Sequence, residues 1–223
     1  MYTSDMCGIV GYLGKQKAAP ILLDGLKSLE YRGYDSAGIA LYDGQKVIVK
    51  KAVGKVAALE EKLFELPEIE GNIGLAHTRW ATHGGVTVAN AHPHSDCEEK
   101  IWVVHNGIIE NYKELKAKLL NSGHKFKSET DTETIPHLIE EIRKRDADIS
   151  LEEAVRLALL QVKGTYGLII FDTRDPETLV AARNFSPLLL GVGVGEYLIA
   201  SDASAVLKHT RNVIYFDNGE IAV

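Results

Sequence analysis

The stretch "YGLIIFDTRDPETLVAAR" (residues 166–183) decides the fold class, because it contains two apolar runs separated by a turn signal. Both runs are rich in β-branched and aromatic residues, and Asp175-Pro176 between them is typical of a turn. The sequence continues with three more segments typical of strands: "PLLLGVG" (187–193), "YLIAS" (197–201) and "NVIYFDNGEIAV" (212–223). Because tight turns such as Asn218-Gly219 join neighbouring strands as hairpins, this pattern predicts antiparallel sheet.

The N-terminal part mixes strands with a helix. "CGIVGYLG" (7–14) predicts a strand, and "SAGIALYDGQKVIVKKAVG" (36–54) predicts a hairpin turning at Asp43-Gly44. Between them, "APILLDGLKSLEYRG" (19–33) has its apolar residues near helical spacing and predicts an amphipathic helix that ends at Gly33.

Two neighbouring helices are expected in the middle of the chain. "TETIPHLIEEIRKR" (132–145) follows Asp131, a good N-cap residue, and ends in cations that suit the negative end of a helix. "SLEEAVRLALLQVKG" (150–164) starts with Ser150 and Glu153, the pattern of a capping box. Since helices do not alternate one by one with strands, the class is α+β, with helices packed on antiparallel sheet in one domain.

Composition limits the function classes. The 223 residues carry a net charge of -6, and the cations are scattered among acids, which argues against a nucleic-acid partner. No apolar run is long enough to span a bilayer, and the start lacks the pattern of a signal peptide, so we expect a cytoplasmic protein with no membrane contact. Two cysteines, Cys7 and Cys97, do not make a disulfide framework and indicate reactive or buried thiols.

Cys7 follows a second methionine, Met6, in "MYTSDMCGIV" (1–10). One interpretation is a buried small apolar residue beside Ile9 and Val10. The other is a nucleophile: if Met6 is the working start and is removed, Cys7 carries a thiol and a free α-amine, and the amine can act as the base. Residues 1–6 would abolish that chemistry if they stayed attached.

Three further stretches contain residues suited to binding a small polar substrate. In "HTRWATHGG" (77–85), Arg79 is suited to a bidentate grip on a carboxylate, although a surface arginine beside a half-buried Trp80 explains the pattern as well. In "IWVVHNGIIENY" (101–112), Asn106-Gly107 is either a turn or a pair of oxyanion-hole donors. In "SETDTET" (128–134), Asp131 is either the helix cap or a group that holds an ammonium.

A metal site is the main alternative from these residues. "NAHPHSDC" (90–97) offers His92, His94 and Cys97, which together with His77 or His83 could form a zinc set. The acidic surroundings of Cys97 fit a solvated loop equally well. By contrast, "GVGVGEY" (191–197) lacks the lysine and the helix of a phosphate loop and predicts a hairpin turn.

Taken in order, "MCGIVGYLG", "EYRGYDSAGIA", "HTRWATHGG", "NAHPH", "HNGIIENY" and "SETDTE" resemble the glutaminase domain of the glutamine-fructose-6-phosphate amidotransferase family. The resemblance covers residues 6–223. It implies an N-terminal nucleophile hydrolase fold, a four-layer α-β-β-α sandwich of two antiparallel sheets. It also implies hydrolysis of L-glutamine to L-glutamate and ammonia through a cysteine thioester, with no metal or organic cofactor.

The resemblance also assigns roles to residues at matching positions. Cys7 is the nucleophile, and Asn106 with Gly107 forms the oxyanion hole. Arg79 holds the α-carboxylate of glutamine and Asp131 its α-ammonium. The supporting and lining positions are Arg32 and Gly33 beside the nucleophile, Thr82, His83 and His92 around glutamine, and Trp80, which is linked to closing the pocket.

The same resemblance implies partners that this sequence does not contain. Family members carry C-terminal isomerase domains that bind fructose 6-phosphate and receive the ammonia, and the full-length enzyme is expected to be a homodimer. The domain expectation is therefore an extension or leader at residues 1–6, a glutaminase domain at 7–223, and no isomerase part. Two rival hypotheses remain: a non-catalytic glutamine-binding module, if residues 1–6 persist, and a zinc amidohydrolase.

Overall fold

The computed structural model describes residues 7–65, 69–80 and 84–223, and within these ranges the strands form two sheets. Seven strands build the first sheet, in the order β11-β9-β10-β1-β4-β2-β3, with antiparallel neighbours throughout. In chain order they are β1 Gly8–Leu13, β2 Ser36–Tyr42, β3 Val47–Val53, β4 Ile73–Arg79, β9 Leu189–Val192, β10 Tyr197–Ala200 and β11 Val213–Tyr215. The apolar runs of β1 and β4 explain their central places, since strands covered on both faces need apolar residues at successive positions.

The second sheet has five strands in the order β12-β8-β7-β6-β5, again all antiparallel. They are β5 His94–Ser95, β6 Ile101–Ile109, β7 Gly164–Asp172, β8 Asp175–Asn184 and β12 Ile221–Ala222. The β7–β8 hairpin is the stretch that predicted antiparallel sheet, and its two strands lie next to each other as expected.

Five α-helices lie in the described ranges, and none of them is long and apolar enough to cross a bilayer. They are α1 Ala18–Leu29, α2 Val56–Phe64, α3 Tyr112–Asn121, α4 Thr134–Arg145 and α5 Leu151–Leu159. The hydroxyl of Ser150 accepts a hydrogen bond from the Glu153 backbone N–H at 3.2 Å, which confirms the predicted N-cap.

Three apolar cores separate four layers. One core lies between the first sheet and helices α1 and α2, and a second lies between the other sheet and helices α3, α4 and α5. The third lies between the two sheets and contains Ile9, Leu75, Val104, Ile169 and Phe171, all fully buried. This α-β-β-α order confirms the predicted α+β class and the sandwich that the resemblance implied.

Four local predictions were wrong. Asp175-Pro176 is not the turn of the β7–β8 hairpin, because the turn is at Thr173-Arg174 and Asp175 begins β8. Asp131 is not the cap of α4, because its carboxylate accepts a hydrogen bond from the Ile109 N–H at 2.7 Å and the helix begins three residues later. Asn106-Gly107 is not a turn but lies inside β6, where nine residues pair with β7. Asn218-Gly219 does not close a hairpin, since β11 and β12 belong to different sheets.

Candidate active site

A cavity of about 230 Å³ opens where the two sheets meet, and most of the predicted site residues line it. Cys7, Arg79 and Trp80 come from the first sheet and its immediate ends. Asn106 and Gly107 come from the second sheet. Loop residues complete the wall with Arg32, His92 and Asp131. Thr82 and His83, which were predicted to line the same site, lie outside the described residues.

Cys7 lies directly before β1 and faces the backbone of Trp80. Its Sγ accepts a hydrogen bond from the Trp80 N–H at 3.2 Å and lies 3.5 Å from the Trp80 carbonyl oxygen. Burial raises the pKa of the Cys7 thiol, and the Trp80 N–H and the Arg79 charge only partly oppose that effect. The thiol is therefore protonated near neutral pH, and its use as a nucleophile requires a base.

Asn106 connects the second sheet to Cys7. Its Nδ2 donates to the carbonyl oxygen of Cys7 at 2.8 Å, and its Oδ1 lies 3.1 Å from Nε2 of His77. The same Nε2 lies 3.1 Å from the carbonyl oxygen of His105. Since both of these neighbours are acceptors, Nε2 carries the proton of His77 and fixes the Asn106 amide with its NH₂ group toward Cys7.

His77 performs this task as a neutral imidazole. Burial lowers the pKa of His77 to about 3, because the buried surroundings penalise the charged ring. His77 and Arg79 lie two residues apart on β4 and so share one face of the strand. That spacing in "HTR" is the signal that could have placed His77 in the site, where sequence reasoning considered it only as a metal ligand.

Gly107 lines the cavity beside Asn106 and has a backbone conformation that few other residues adopt. Its φ is +127°, and a Cβ added there would overlap the carbonyl oxygen of Thr165 on the neighbouring strand. The position therefore requires glycine on two grounds, the positive φ and the close approach of β7.

Arg79 and Asp131 bring opposite charges to the cavity. Arg79 is 3% exposed and donates from Nη1 to the carbonyl oxygen of Gly85 at 3.1 Å. Asp131 is 5% exposed and is held by the Ile109 N–H. A buried cation and a buried carboxylate around one small cavity suit a zwitterionic ligand such as a free amino acid.

Arg32 and Gly33 lie close to Cys7 and to the backbone that contacts it. Arg32 lines the cavity and has its Nη1 3.6 Å from a carboxylate oxygen of Asp202, while its buried Nε and Nη2 have no hydrogen-bond partner among the described residues. Gly33 packs so closely on the backbone of Arg79 and Trp80 that a Cβ there would approach it to 3.1 Å. This segment supports the peptide that contacts Cys7.

The remaining wall is built from aromatic rings and hydroxyl groups. Trp80 packs edge-on against Tyr34, with 5.6 Å between ring centroids. His92 stacks on His77 at 4.0 Å, and its Nδ1 accepts a hydrogen bond from the His105 N–H at 3.3 Å. Sequence reasoning missed His105 and the Thr132 hydroxyl that holds its ring at 2.9 Å.

The predicted zinc set is not brought together in the described part of the chain. His92 and His94 lie near His77 by the cavity, with 4.6 Å between the His92 and His94 rings, and the Nε2 of His94 lies 3.1 Å from the Thr130 hydroxyl. Cys97 contacts a different pair of histidines, His124 and His137. The alternative set with His83 lies partly outside the described residues.

A model of the glutamine amidotransferase domain family matches residues 77–208, which is more than half of the chain. This chain belongs to the glutamine amidotransferase family. The match includes the end of β4 from His77, all of β6 and the segment with Asp131, and so covers parts of both sheets and most of the cavity wall.

Curated relatives cover nearly all of the chain. The glutamine–fructose-6-phosphate aminotransferase (isomerizing) of Pyrococcus horikoshii is 53% identical over 219 residues, which is 98% of this chain and 36% of that protein. The enzyme of the same name from Chlorobaculum tepidum is 50% identical over 220 residues. The chain thus spans about a third of the length of the relatives it matches, and it corresponds to one domain of them.

Solved structures support the same family and fold. Glutamine phosphoribosylpyrophosphate amidotransferase from Bacillus subtilis superposes with a TM-score of 0.80 at 29% identity, over 96% of this chain and 46% of that one. A glutamine aminotransferase class-II domain protein from Silicibacter pomeroyi gives a TM-score of 0.63 at 15% identity and supports the fold. The architecture is that of the N-terminal nucleophile amidotransferases.

Proposed function

We propose that this domain hydrolyses L-glutamine to L-glutamate and ammonia, with Cys7 as the nucleophile. The observation that supports this most strongly is that one small cavity contains the Cys7 thiol, the Asn106 amide that contacts the Cys7 carbonyl group, and the opposite charges of Arg79 and Asp131. The arrangement suits an amino acid whose side-chain amide lies beside the thiol.

The chemistry requires Cys7 to be the first residue of the active protein. Its α-amine then takes the thiol proton as Sγ attacks the amide carbon of glutamine. The tetrahedral oxyanion is stabilised by the Asn106 Nδ2 and the Gly107 N–H. As the C–N bond breaks, the protonated amine returns its proton to the leaving nitrogen, and ammonia departs. Water then attacks the thioester and releases glutamate and the free thiol.

The charged residues select and orient the substrate. Arg79 pairs with the α-carboxylate of glutamine and Asp131 with its α-ammonium group. Trp80, Thr82, His83 and His92 line the bound substrate, with Trp80 at the lid position. Arg32 and Gly33 support the Arg79–Trp80 backbone against Cys7 and act as positioning residues.

In the full-length protein we propose that the ammonia passes to fructose 6-phosphate on C-terminal isomerase domains. The shared name of the relatives supports this, as does the fraction of their length that the chain covers. We also propose a glutaminase domain over residues 7–223 preceded by an extension or leader at residues 1–6, and a full-length enzyme that is a cytoplasmic homodimer.

The direct test is the rate of glutamate release by the wild type and by Cys7→Ala. Loss of the thiol should abolish turnover, while glutamine still raises the unfolding temperature because Arg79 and Asp131 remain. The Cys7→Ser variant is the matched control for shape, and should also be inactive or nearly so, because an alcohol is a weaker nucleophile than a thiol. Turnover retained by Cys7→Ala would overturn the assignment, and glutamine binding without turnover in the wild type would indicate a binding module.

A further inference from the structure

A second group of chemically reactive side chains lies apart from the residues that line the cavity. Cys97 lies in the β5–β6 connection, His124 follows α3, and His137 and Glu140 lie one turn apart on α4. One donor atom from each of the four side chains falls within 4.8 Å of every other. The two histidines and Glu140 are buried, with 0–4% of each residue exposed. We call these four residues the Cys97 cluster.

The spacing of the donor atoms is that of a tetrahedral metal site. Zinc bonds of ~2.3 Å to sulfur and ~2.0–2.1 Å to nitrogen and oxygen give tetrahedral edges of about 3.6 Å for S···N and about 3.3 Å for N···N and N···O. In the cluster, Cys97 Sγ lies 3.7 and 3.6 Å from the Nδ1 atoms of His124 and His137. The two Nδ1 atoms are 3.3 Å apart, and Glu140 Oε2 lies 3.0 and 3.3 Å from them.

Carboxylates lie beside the outer nitrogens of both imidazoles. Nε2 of His124 lies 3.1 Å from a carboxylate oxygen of Glu141, and Nε2 of His137 lies 3.6 Å from one of Glu133. A metal ion on the inner Nδ1 atoms leaves the ring proton of each imidazole on Nε2, the side on which these carboxylates lie. The two Nδ1 atoms and the Glu140 oxygen then converge on one point that a cation can occupy.

The surroundings of the other two ligands fit the same arrangement. The Lys125 N–H donates to Cys97 Sγ at 3.5 Å, as suits a thiolate. Glu140 accepts the Cys97 N–H on Oε2 at 3.1 Å, and its other oxygen lies 2.7 Å from the ammonium group of Lys144. Metal ligands in proteins are commonly oriented by such outer hydrogen bonds and charges.

We propose that Cys97, His124, His137 and Glu140 bind a structural zinc ion. A thiolate with two imidazoles selects zinc over magnesium or calcium, which prefer oxygen ligands alone. Four protein ligands complete the tetrahedron and leave no position for a substrate, so the ion stabilises the fold and takes no part in glutamine hydrolysis. It ties the β5–β6 connection to α4, and it holds both ends of the segment that carries Asp131.

The zinc content of the purified full-length chain tests this proposal. Elemental mass spectrometry after dialysis should find about one zinc per chain in the wild type, since four ligands define one site. Cys97→Ser and His124→Gln should both lose it. The matched control is Cys7→Ala, which also removes one thiol: it should keep the zinc although it lacks glutaminase activity, so that this test is independent of the proposed function.

Two readouts on the same proteins show where the ion binds. A zinc chelator should lower the unfolding temperature of the wild type, and added zinc should restore it in proportion to the logarithm of its free concentration. Cobalt exchanged into the site should give thiolate-to-cobalt absorption that Cys97→Ser lacks. A wild type that holds no zinc after zinc loading, with an unfolding temperature indifferent to zinc and chelator, would overturn the proposal and indicate a hydrogen-bonded cluster with a charged histidine. Equal zinc content in wild type and Cys97→Ser would overturn it as well.

Discussion

His77 shows how a single buried side chain prepares the site before any substrate arrives. Its Nε2 proton is shared between two acceptors, one of which is the Asn106 amide oxygen, and so the amide nitrogen is turned toward Cys7. Burial makes the charged imidazole less stable than the neutral one, and for that reason the pKa of His77 falls to about 3. The Asn106 amide therefore keeps the same orientation across the physiological pH range.

The planar fork of Arg79 should matter for glutamine binding. Arg79→Lys keeps the positive charge but loses the planar fork, so KM for glutamine should rise roughly 30-fold, equivalent to about 2 kcal/mol, with a smaller change in kcat. Steady-state kinetics measure the effect. The α-amide of glutamine, which lacks the carboxylate, is the matched control substrate. If the variant discriminates between the two substrates as strongly as the wild type does, Arg79 does not bind the carboxylate.

His94 supplies a prediction about pH. Burial, with the nearby Lys51 charge, holds the pKa of His94 well below its usual range. The unfolded chain, with a histidine pKa of ~6.5, therefore binds a proton that the folded chain does not, and stability falls as the pH decreases below that value. Between about pH 7.5 and about pH 5.5, wild type should lose roughly 1 kcal/mol more of its free energy of unfolding than His94→Gln. Denaturant titrations of both proteins measure this difference, and parallel pH curves would contradict it.

The identities of the site residues could be predicted from the sequence far better than their contacts. Cys7, Arg79 and Asp131 stood out because of their chemistry in short motifs, and all three line the cavity. Partners distant in sequence could not be predicted: the contact between Cys7 and Trp80 spans 73 positions, and the one between Asn106 and Cys7 spans 99. Local patterns contain no information on such separations.

Among the elements, β6 explains why Asn106-Gly107 was wrongly predicted to be a turn. Asn-Gly is a strong turn signal because glycine accepts a positive φ, and Gly107 does have one. The positive φ occurs inside a strand, where the close approach of β7 leaves no room for a side chain. The turn was predicted wrongly, because pairing with β7 over nine residues decided the element.

Gly107→Ala is the prediction for this element. The added methyl group meets Thr165, so β6 must move away from β7 and the oxyanion donors move with it. Glutamate release should fall by about 100-fold or more, as when one oxyanion donor is removed. Gly44→Ala in the β2–β3 turn is the matched control, since its φ is +93° and no atom lies within 4 Å of the added carbon. Gly44→Ala should lose about 1 kcal/mol of stability from its positive φ alone, whereas Gly107→Ala should lose more, because the overlap with Thr165 adds to the same strain, and only Gly107→Ala should lose activity. Full activity in Gly107→Ala would contradict the assigned role.

At the scale of the whole molecule, the site exists because two sheets pack face to face. Cys7, directly before β1, and Arg79 come from the side of the first sheet, and Asn106 and Gly107 come from the second sheet. The sequence predicted sheets and helices from periodicity and turn residues, which are local properties. The division of strands between sheets depends on which apolar faces meet, and for that reason Asn218-Gly219 was mistaken for a hairpin when it joins the two sheets.

The intact mass of the purified protein, before and after reaction with an electrophilic glutamine analogue, tests whether Cys7 is a free N-terminal nucleophile in a glutamine pocket. We expect a mass that begins at Cys7 and then gains one adduct, which peptide mapping places on Cys7. The adduct should be absent from Cys7→Ala, and an excess of glutamine should slow its formation in the wild type. A mass that begins at Cys7 but gains no adduct, or gains it on another residue, would contradict the proposed nucleophile and its glutamine pocket.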